Sequence, residues 1–219
     1  MARIVFDLDG TLIDSNPTLW ASGSALLAEL GRPPVSAETS AGFVGKGVRA
    51  LVEGLLRHTG GIPGELDPQV DRYRAIYAAD PVTGTLVYDG VPTALAALAA
   101  AGHGLAVCTP KPNAPALRLL EALGLRPPVT GFTGGDSLDV LTPDPRMLHH
   151  AADQLSPGPL ILVGDSEIDA ATAANAGVPF LFHTRGYRLD PAAPIAAAGS
   201  FDDFAALPGL VAGVLAAAR

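Results

Sequence analysis

The run Arg3-Ile4-Val5-Phe6, followed at once by Asp7-Leu8-Asp9-Gly10, constrains the fold more than any other part of the chain. Arg3 to Phe6 form a short β-branched and aromatic run bounded by a turn signal, which predicts a buried strand. That strand ends in acids, and a carboxylate left unpaired at the mouth of an apolar sheet is costly. Two residues apart, Asp7 and Asp9 converge on one small site where a divalent cation relieves their repulsion. A hard ion such as Mg2+ takes oxygen ligands and keeps waters and phosphate oxygens in its shell. Gly10 then lets the chain turn sharply. A calcium loop does not fit: with Gly10 as its invariant glycine, Val5 and Asn16 fall at the first and last ligand positions. Seen alone, the tetrapeptide also reads as a solvated turn.

After Ser15 the pattern turns helical. Pro17 to Leu30, with Gly31 as its stop, is followed by helices over Val48 to Arg57 and Pro68 to Ala79, with a Gly60-Gly61-Ile62-Pro63-Gly64 loop between the last two. No strand alternation interrupts this stretch, which predicts an all-helical insertion over residues 16–85. From Gly90 strand and helix alternate. Helices are expected over Pro92 to Ala101, Ala114 to Leu123, Met147 to Leu155 and Ile168 to Ala176. Strands are expected over Gly104 to Cys108, near Val129, over Leu160 to Val163, and over Phe180 to Phe182 as the last core strand. The alanine runs at 94–101 and 196–198 fall in helical context. Such alternation implies an α/β fold, a Rossmann-like parallel sheet covered on both faces, with function at the carboxyl ends of its strands. The expected division is a core of residues 1–15 and 86–219 and a helical unit of residues 16–85.

The balance of 14 basic and 22 acidic residues, net charge -8, argues against a nucleic-acid surface. The single cysteine, Cys108, allows no internal disulfide and suggests a reducing compartment. Arg3 and Asp7 leave no apolar signal segment, and no later apolar run has membrane-spanning length, so a cytoplasmic location without membrane association is expected.

Three further stretches follow apolar runs or turn signals. Thr109-Pro110-Lys111 comes directly after the Gly104–Cys108 strand. Gly134-Gly135-Asp136-Ser137 leads to Leu141-Thr142-Pro143-Asp144-Pro145. Val163-Gly164-Asp165-Ser166-Glu167-Ile168-Asp169 ends another apolar strand, with Asp169 about one helical turn beyond Asp165. Two of them have a plain alternative: a proline-rich surface turn for Thr109-Pro110-Lys111, and acids decorating a helix N-terminus for Asp165 and Asp169. The five histidines show no metal-ligand spacing, and Cys108 reads as packing.

Asp7-Leu8-Asp9-Gly10-Thr11-Leu12-Ile13-Asp14-Ser15 resembles the first motif of the haloacid dehalogenase superfamily, in its phosphatase branch, and the later stretches resemble its further motifs in order. The resemblance implies that Asp7 is the nucleophile and Asp9 the general acid/base, the presence of Asp9 favouring a phosphatase over a dehalogenase. It implies that Thr109 holds the phosphoryl group, and that Mg2+ is bound by Asp7, the Asp9 backbone carbonyl and Asp165, with Asp169 and Ser166 behind them. Gly10 and Thr11 would border the substrate, and the helical unit would be a cap over the site, with Lys46 and Arg49 as substrate contacts. Two positions depart from the family: Pro110 lacks the N–H expected after the threonine, and Thr142 stands where a lysine is expected. With only Lys46 and Lys111 in the chain, the role of the missing cation is expected to fall to Lys111, the alternatives being an arginine such as Arg146 or no replacement at all. The Gly134 to Leu138 and Val163 to Gly177 runs look most like phosphoglycolate phosphatases, which implies a small phosphomonoester substrate such as 2-phosphoglycolate. A sugar-phosphate phosphatase, a phosphomutase and a non-catalytic phosphate-binding relative are the alternatives.

Overall fold

Successive residues of the first strand serve two different cores. In the computed structural model, which describes residues 1–190 and 192–217, β1 (Arg3–Phe6) sends Ile4 and Phe6 into one hydrophobic cluster and Val5 into another. Both faces of the strand are therefore covered, as its uninterrupted apolar run requires. Six parallel strands form the sheet: β1, β4 (Gly104–Cys108), β5 (Gly131–Thr133), β6 (Leu160–Gly164), β7 (Phe180–His183) and β8 (Gly199–Phe201), in the order β5-β4-β1-β6-β7-β8. The chain fills the β4 side of β1 first and then crosses to β6, so the strand order reverses beside β1. In open parallel sheets, ligands bind at that reversal.

Helices α5 (Val91–Ala100), α6 (Asn113–Ala122) and α9 (Leu207–Ala217) bury their apolar faces with Ile4 and Phe6, whereas α7 (Pro145–Ala152) and α8 (Glu167–Ala176) pack on the side of Val5. Between β1 and α5 the chain forms α1 (Asn16–Glu29), α2 (Ala37–Ala41), α3 (Gly47–His58) and α4 (Asp67–Ala79). These enclose a third cluster around Leu27, Val52, Leu55 and Tyr73. The chain leaves for and returns from these helices through a two-stranded antiparallel pair, β2 (Ile13–Asp14) with β3 (Leu86–Val87).

Several elements differ from the sequence expectation. The strand expected near Val129 begins at Gly131, because Val129 is spent filling the core while ladder pairing with Ala106 starts at Gly131. The helix expected from Met147 to Leu155 runs from Pro145 to Ala152: Asp144 caps it by accepting from the Arg146 N–H, and Pro145 fits the first turn, where no N–H is needed. Phe180 to Phe182 is not the last core strand, since β8 follows it, and the alanines at 196–198 form coil leading into that strand, with Ala198 N–H donating to Phe180. Their helix propensity yields to a sheet-edge pairing. The strands β2 and β3 and the helix α2 are too short for a periodic signal. Among the described residues no helix is long and apolar enough to cross a membrane.

Candidate active site

The site is assembled at the carboxyl ends of three adjacent strands. Asp7 follows β1, Thr109 to Lys111 follow β4, and Asp165 follows β6, and the registers Phe6 to Val107 and Phe6 to Val163 bring these ends level. Three carboxylates, Asp7, Asp165 and Asp169, gather here with ligand oxygens within 4.8 Å of one another, and all three residues are buried. Burial first, and then the charges of Asp169, Asp165 and Asp9, push the Asp7 carboxyl well above the usual carboxylate range. Burial and then Asp169 do the same to Asp165, and burial raises Asp169 against its own hydrogen bonds.

Asp7 Oδ1 is buried and has no hydrogen-bond partner. Asp165 is held more firmly: Thr11 Oγ donates to its Oδ1 at 2.6 Å and the Tyr187 N–H to its Oδ2 at 2.6 Å. Each carboxylate oxygen keeps a second lone pair, so neither bond prevents coordination. Asp169 works as part of a helix cap. Its Oδ2 accepts from the Asp165 and Ser166 N–H groups at 3.1 and 3.0 Å and from the Ser166 hydroxyl at 2.7 Å, while Ser166 Oγ accepts from the Asp169 N–H. This reciprocal cap fixes the turn that presents Asp165. An orphaned, buried carboxylate oxygen beside two more carboxylates fits a hard divalent cation, which removes both the repulsion and the unmet acceptor.

Asp9 faces a different partner. Its two oxygens accept from Lys111 Nζ at 2.9 and 2.8 Å, and Oδ1 also accepts from the Ser15 hydroxyl at 2.5 Å. Lys111 is buried; burial alone would lower its pKa, but the Asp9 carboxylate outweighs this and the net direction is up, so it is a fixed positive charge. Lys111 thus pairs with the acid/base candidate and not with the nucleophile candidate. Arg146, the other cation considered, is an exposed partner of Asp144. Thr109 is fully buried and its Oγ accepts from the Lys111 N–H at 3.3 Å, which leaves its hydroxyl proton available and occupies the next backbone donor after Pro110.

The pocket over these residues has a volume of about 460 Å3 and is bordered by Asp7, Asp9, Thr109 and Lys111 on the sheet side. Leu19, Val48, Leu51 and Tyr73 from the helical unit form an apolar wall, and Arg74 and Tyr77 of α4 complete it. The two cap residues proposed from sequence lie outside this lining: Lys46 sits between the lining residues Gly45 and Gly47, and Arg49 is an exposed partner of Asp67. Gly10 and Thr11 lie under the floor, where a Cβ on Gly10, whose φ is +93°, would come within 2.3 Å of Asp165 Oδ2.

Several contributors carried no sequence signal. Gly186 closes over Asp165 from the other side, a Cβ there falling 2.2 Å from the Asp165 Cβ. His183, buried and kept neutral chiefly by burial, donates Nδ1–H to the Gly10 carbonyl at 3.0 Å, the carbonyl being able only to accept. Tyr187 donates its hydroxyl to Asp14 at the edge of the helical unit and its N–H to Asp165. The Gly134-Gly135-Asp136-Ser137 run braces the site, and its Asp136 also lines the pocket. Gly135 N–H donates to the Lys111 carbonyl at 2.8 Å, Asp136 accepts from the Asn113 N–H at 2.7 Å, and Ser137 donates to the Asn113 side chain. These bonds brace the loop that carries Lys111.

Comparison with known proteins agrees with this geometry. The chain is 40% identical over 216 residues to the phosphoglycolate phosphatase of Rhodobacter capsulatus, covering 96% of each chain. It is 41% identical over 212 residues to that of Rhodospirillum rubrum, covering 93% of this chain and 88% of the relative. Among solved structures, a predicted phosphoglycolate phosphatase from Haemophilus somnus 129PT superposes with a TM-score of 0.87 at 29% identity, covering 95% of this chain and 97% of that one. Residues 1–177 match the haloacid dehalogenase-like hydrolases; the chain belongs to that family.

Proposed function

We propose that this protein is a Mg2+-dependent phosphomonoester hydrolase acting on 2-phosphoglycolate, with residues 16–85 as a cap over a core of residues 1–15 and 86–219. The observation that carries the reading is the unpartnered, buried Asp7 Oδ1, set against Asp165 and Asp169 and opening on a pocket that also holds Asp9, Thr109 and Lys111. The names of relatives about 40% identical over nearly the whole chain support the substrate.

Asp7 and Asp165 carboxylates and the Asp9 backbone carbonyl would hold Mg2+, which when bound supplies positive charge to the phosphoryl oxygens and keeps Asp7 ionised. Asp7 attacks phosphorus in line and forms an aspartyl-phosphate as the P–O bond to the alkoxide breaks, and the alkoxide leaves with a proton from Asp9. Asp9 then takes a proton from water as that water attacks the phosphorus, and Asp7 departs as carboxylate. The Thr109 hydroxyl donates to an equatorial oxygen. The Lys111 ammonium is a buried cation lining the same pocket, and an arriving phosphoryl dianion competes with Asp9 for it.

The test is phosphate release from a panel of small phosphomonoesters, including 2-phosphoglycolate, ethyl phosphate and hexose phosphates, with Mg2+ and with a chelator. Mg2+-dependent release with the highest kcat/KM for 2-phosphoglycolate is expected. A preference for a hexose phosphate would replace the substrate, and absence of release from every ester would leave a phosphate-binding relative.

A further inference from the structure

Tyr77 presents a phenol whose proton has no acceptor in the protein, although its oxygen lies close enough to the Lys111 ammonium for that charge to lower the phenol's pKa. The residue is 6% exposed, yet its hydroxyl has no hydrogen-bond partner. The neighbouring Tyr73, stacked nearly parallel to it at 6.3 Å, does have one, the Leu19 carbonyl at 3.3 Å. Tyr77 lies on the pocket, and the Lys111 ammonium sits 4.9 Å from its ring centroid. The obvious acceptor nearby, Asp9, is already filled by Lys111 and Ser15. One turn earlier on the same face of α4, Arg74 also lines the pocket. In the free protein its tie is to Asp71 at 3.1 Å, with side-chain exposures of 54% and 73%, a weak surface pair that a buried anion can displace.

We propose that Tyr77 and Arg74 form the subsite for the carboxylate of a short phosphorylated acid, beside the phosphoryl site at Asp7, Thr109 and Lys111. This rests on the phosphatase reading above and names the residues that select its substrate. The chemistry is complementary: the guanidinium supplies charge and a planar pair of donors suited to a carboxylate, and the phenol supplies one donor from an apolar wall. The phenol stays protonated, because burial raises it more than the Lys111 charge lowers it. Val48 and Leu51 beside it keep the local dielectric low, which strengthens a hydrogen bond to an anion. The subsite also assigns the task expected of Lys46 and Arg49 to a different helix.

Tyr77→Phe keeps the ring and its packing and removes only the hydroxyl. With Mg2+ present, KM for 2-phosphoglycolate should rise by on the order of 10-fold or more, the loss of one hydrogen bond to a charged group, while kcat stays within about twofold. Ethyl phosphate, which lacks the carboxylate, should show no change in either constant. Arg74→Gln should repeat the pattern. The unliganded Tyr77→Phe protein should melt close to wild type, since the ring keeps its stacking on Tyr73 and no hydrogen bond that the phenol donates is lost, whereas a structural tyrosine would lower it. In parallel, calorimetric affinity of Asp7→Asn for 2-phosphoglycolate and ethyl phosphate, with and without Tyr77→Phe, reads the subsite without turnover. If wild type fails to hydrolyse 2-phosphoglycolate but Asp7→Asn binds it in a Tyr77-dependent way, the subsite stands and the hydrolase reading falls. If wild type hydrolyses it and Tyr77→Phe leaves KM unchanged, or changes both esters equally, the subsite is overturned and the hydrolase reading stands.

Discussion

Lys111 donates to both carboxylate oxygens of Asp9, at 2.9 and 2.8 Å, across a sequence separation of 102 residues. The pair is nearly dry, with side-chain exposures of 5% and 12%. In such a setting neither member is dispensable, because removing one leaves the other charge buried and uncompensated. The same lysine follows the end of β4 with Thr109, and both line the pocket. The separate acidic cluster of Asp7, Asp165 and Asp169 is left for a metal ion.

Lys111→Ala should therefore lower kcat on 2-phosphoglycolate by on the order of 10^2-fold or more, the range seen when a preorganised electrostatic group is lost. It should also lower stability, by about 3 kcal/mol or more as judged by denaturant unfolding, since Asp9 is left unpaired. Thr142→Lys in the wild-type background should change kcat by less than about threefold, because Thr142 does not line the pocket. A large gain in Thr142→Lys would mean that Lys111 does not fill the role.

Asp7→Asn should abolish turnover and at the same time stabilise the metal-free protein. The amide keeps the shape of the side chain while removing one of three crowded buried charges. A gain of about 1 kcal/mol corresponds to roughly 2–4 °C for a chain of this size. Calorimetry in the presence of a chelator reads the effect. Unchanged turnover would refute the nucleophile, and a lower melting temperature would refute the account of the cluster.

The carboxyls of Asp7, Asp165 and Asp169 are all raised in the folded protein. A raised acid binds its proton more tightly when folded than unfolded, so above its folded pKa it opposes folding. That penalty is relieved as pH falls through the folded pKa towards the ordinary carboxylate value near 4. Mg2+ relieves the same penalty by another route. The rise in melting temperature caused by saturating Mg2+ should accordingly be larger at pH 8 than at pH 5. A shift independent of pH, measured by scanning calorimetry at both, would place the ion elsewhere.

Gly186→Ala puts a methyl where the Asp165 side chain already is, at 2.2 Å from its Cβ. The carboxylate or the loop carrying Tyr187 must move, and Mg2+ affinity should fall by about 10- to 100-fold, as it does when groups behind a ligand are disturbed. At saturating Mg2+ most of the activity should return. Titration of activity against Mg2+ checks this, and an unaltered Mg2+ midpoint would show that the loop yields without moving Asp165.

What the sequence determined by itself was whatever depends on neighbours along the chain. The run Arg3 to Phe6 ending in Asp7, the helix stop at Gly31, and the acids Asp165 and Asp169 at the start of a helix are local patterns. They were legible because hydrogen-bond periodicity, positive φ and caps act over a few residues. From them followed the α/β class with a parallel sheet, and, with the family resemblance, the candidates Asp7, Asp9, Thr109, Lys111 and Asp165. Only the tertiary structure decided which of these touch. Lys111 lies on Asp9 because β4 is adjacent to β1, and Tyr77 and Arg74 border the pocket because α4 packs over the strand ends beside α3, whose lining residues are Gly47, Val48 and Leu51 and not Lys46 or Arg49. Gly186, His183 and Tyr187 are unmarked in the sequence because their roles lie in close approach to Asp165, Gly10 and Asp14. Those approaches depend on how distant strand ends and loops pack together, a long-range property that no local pattern encodes.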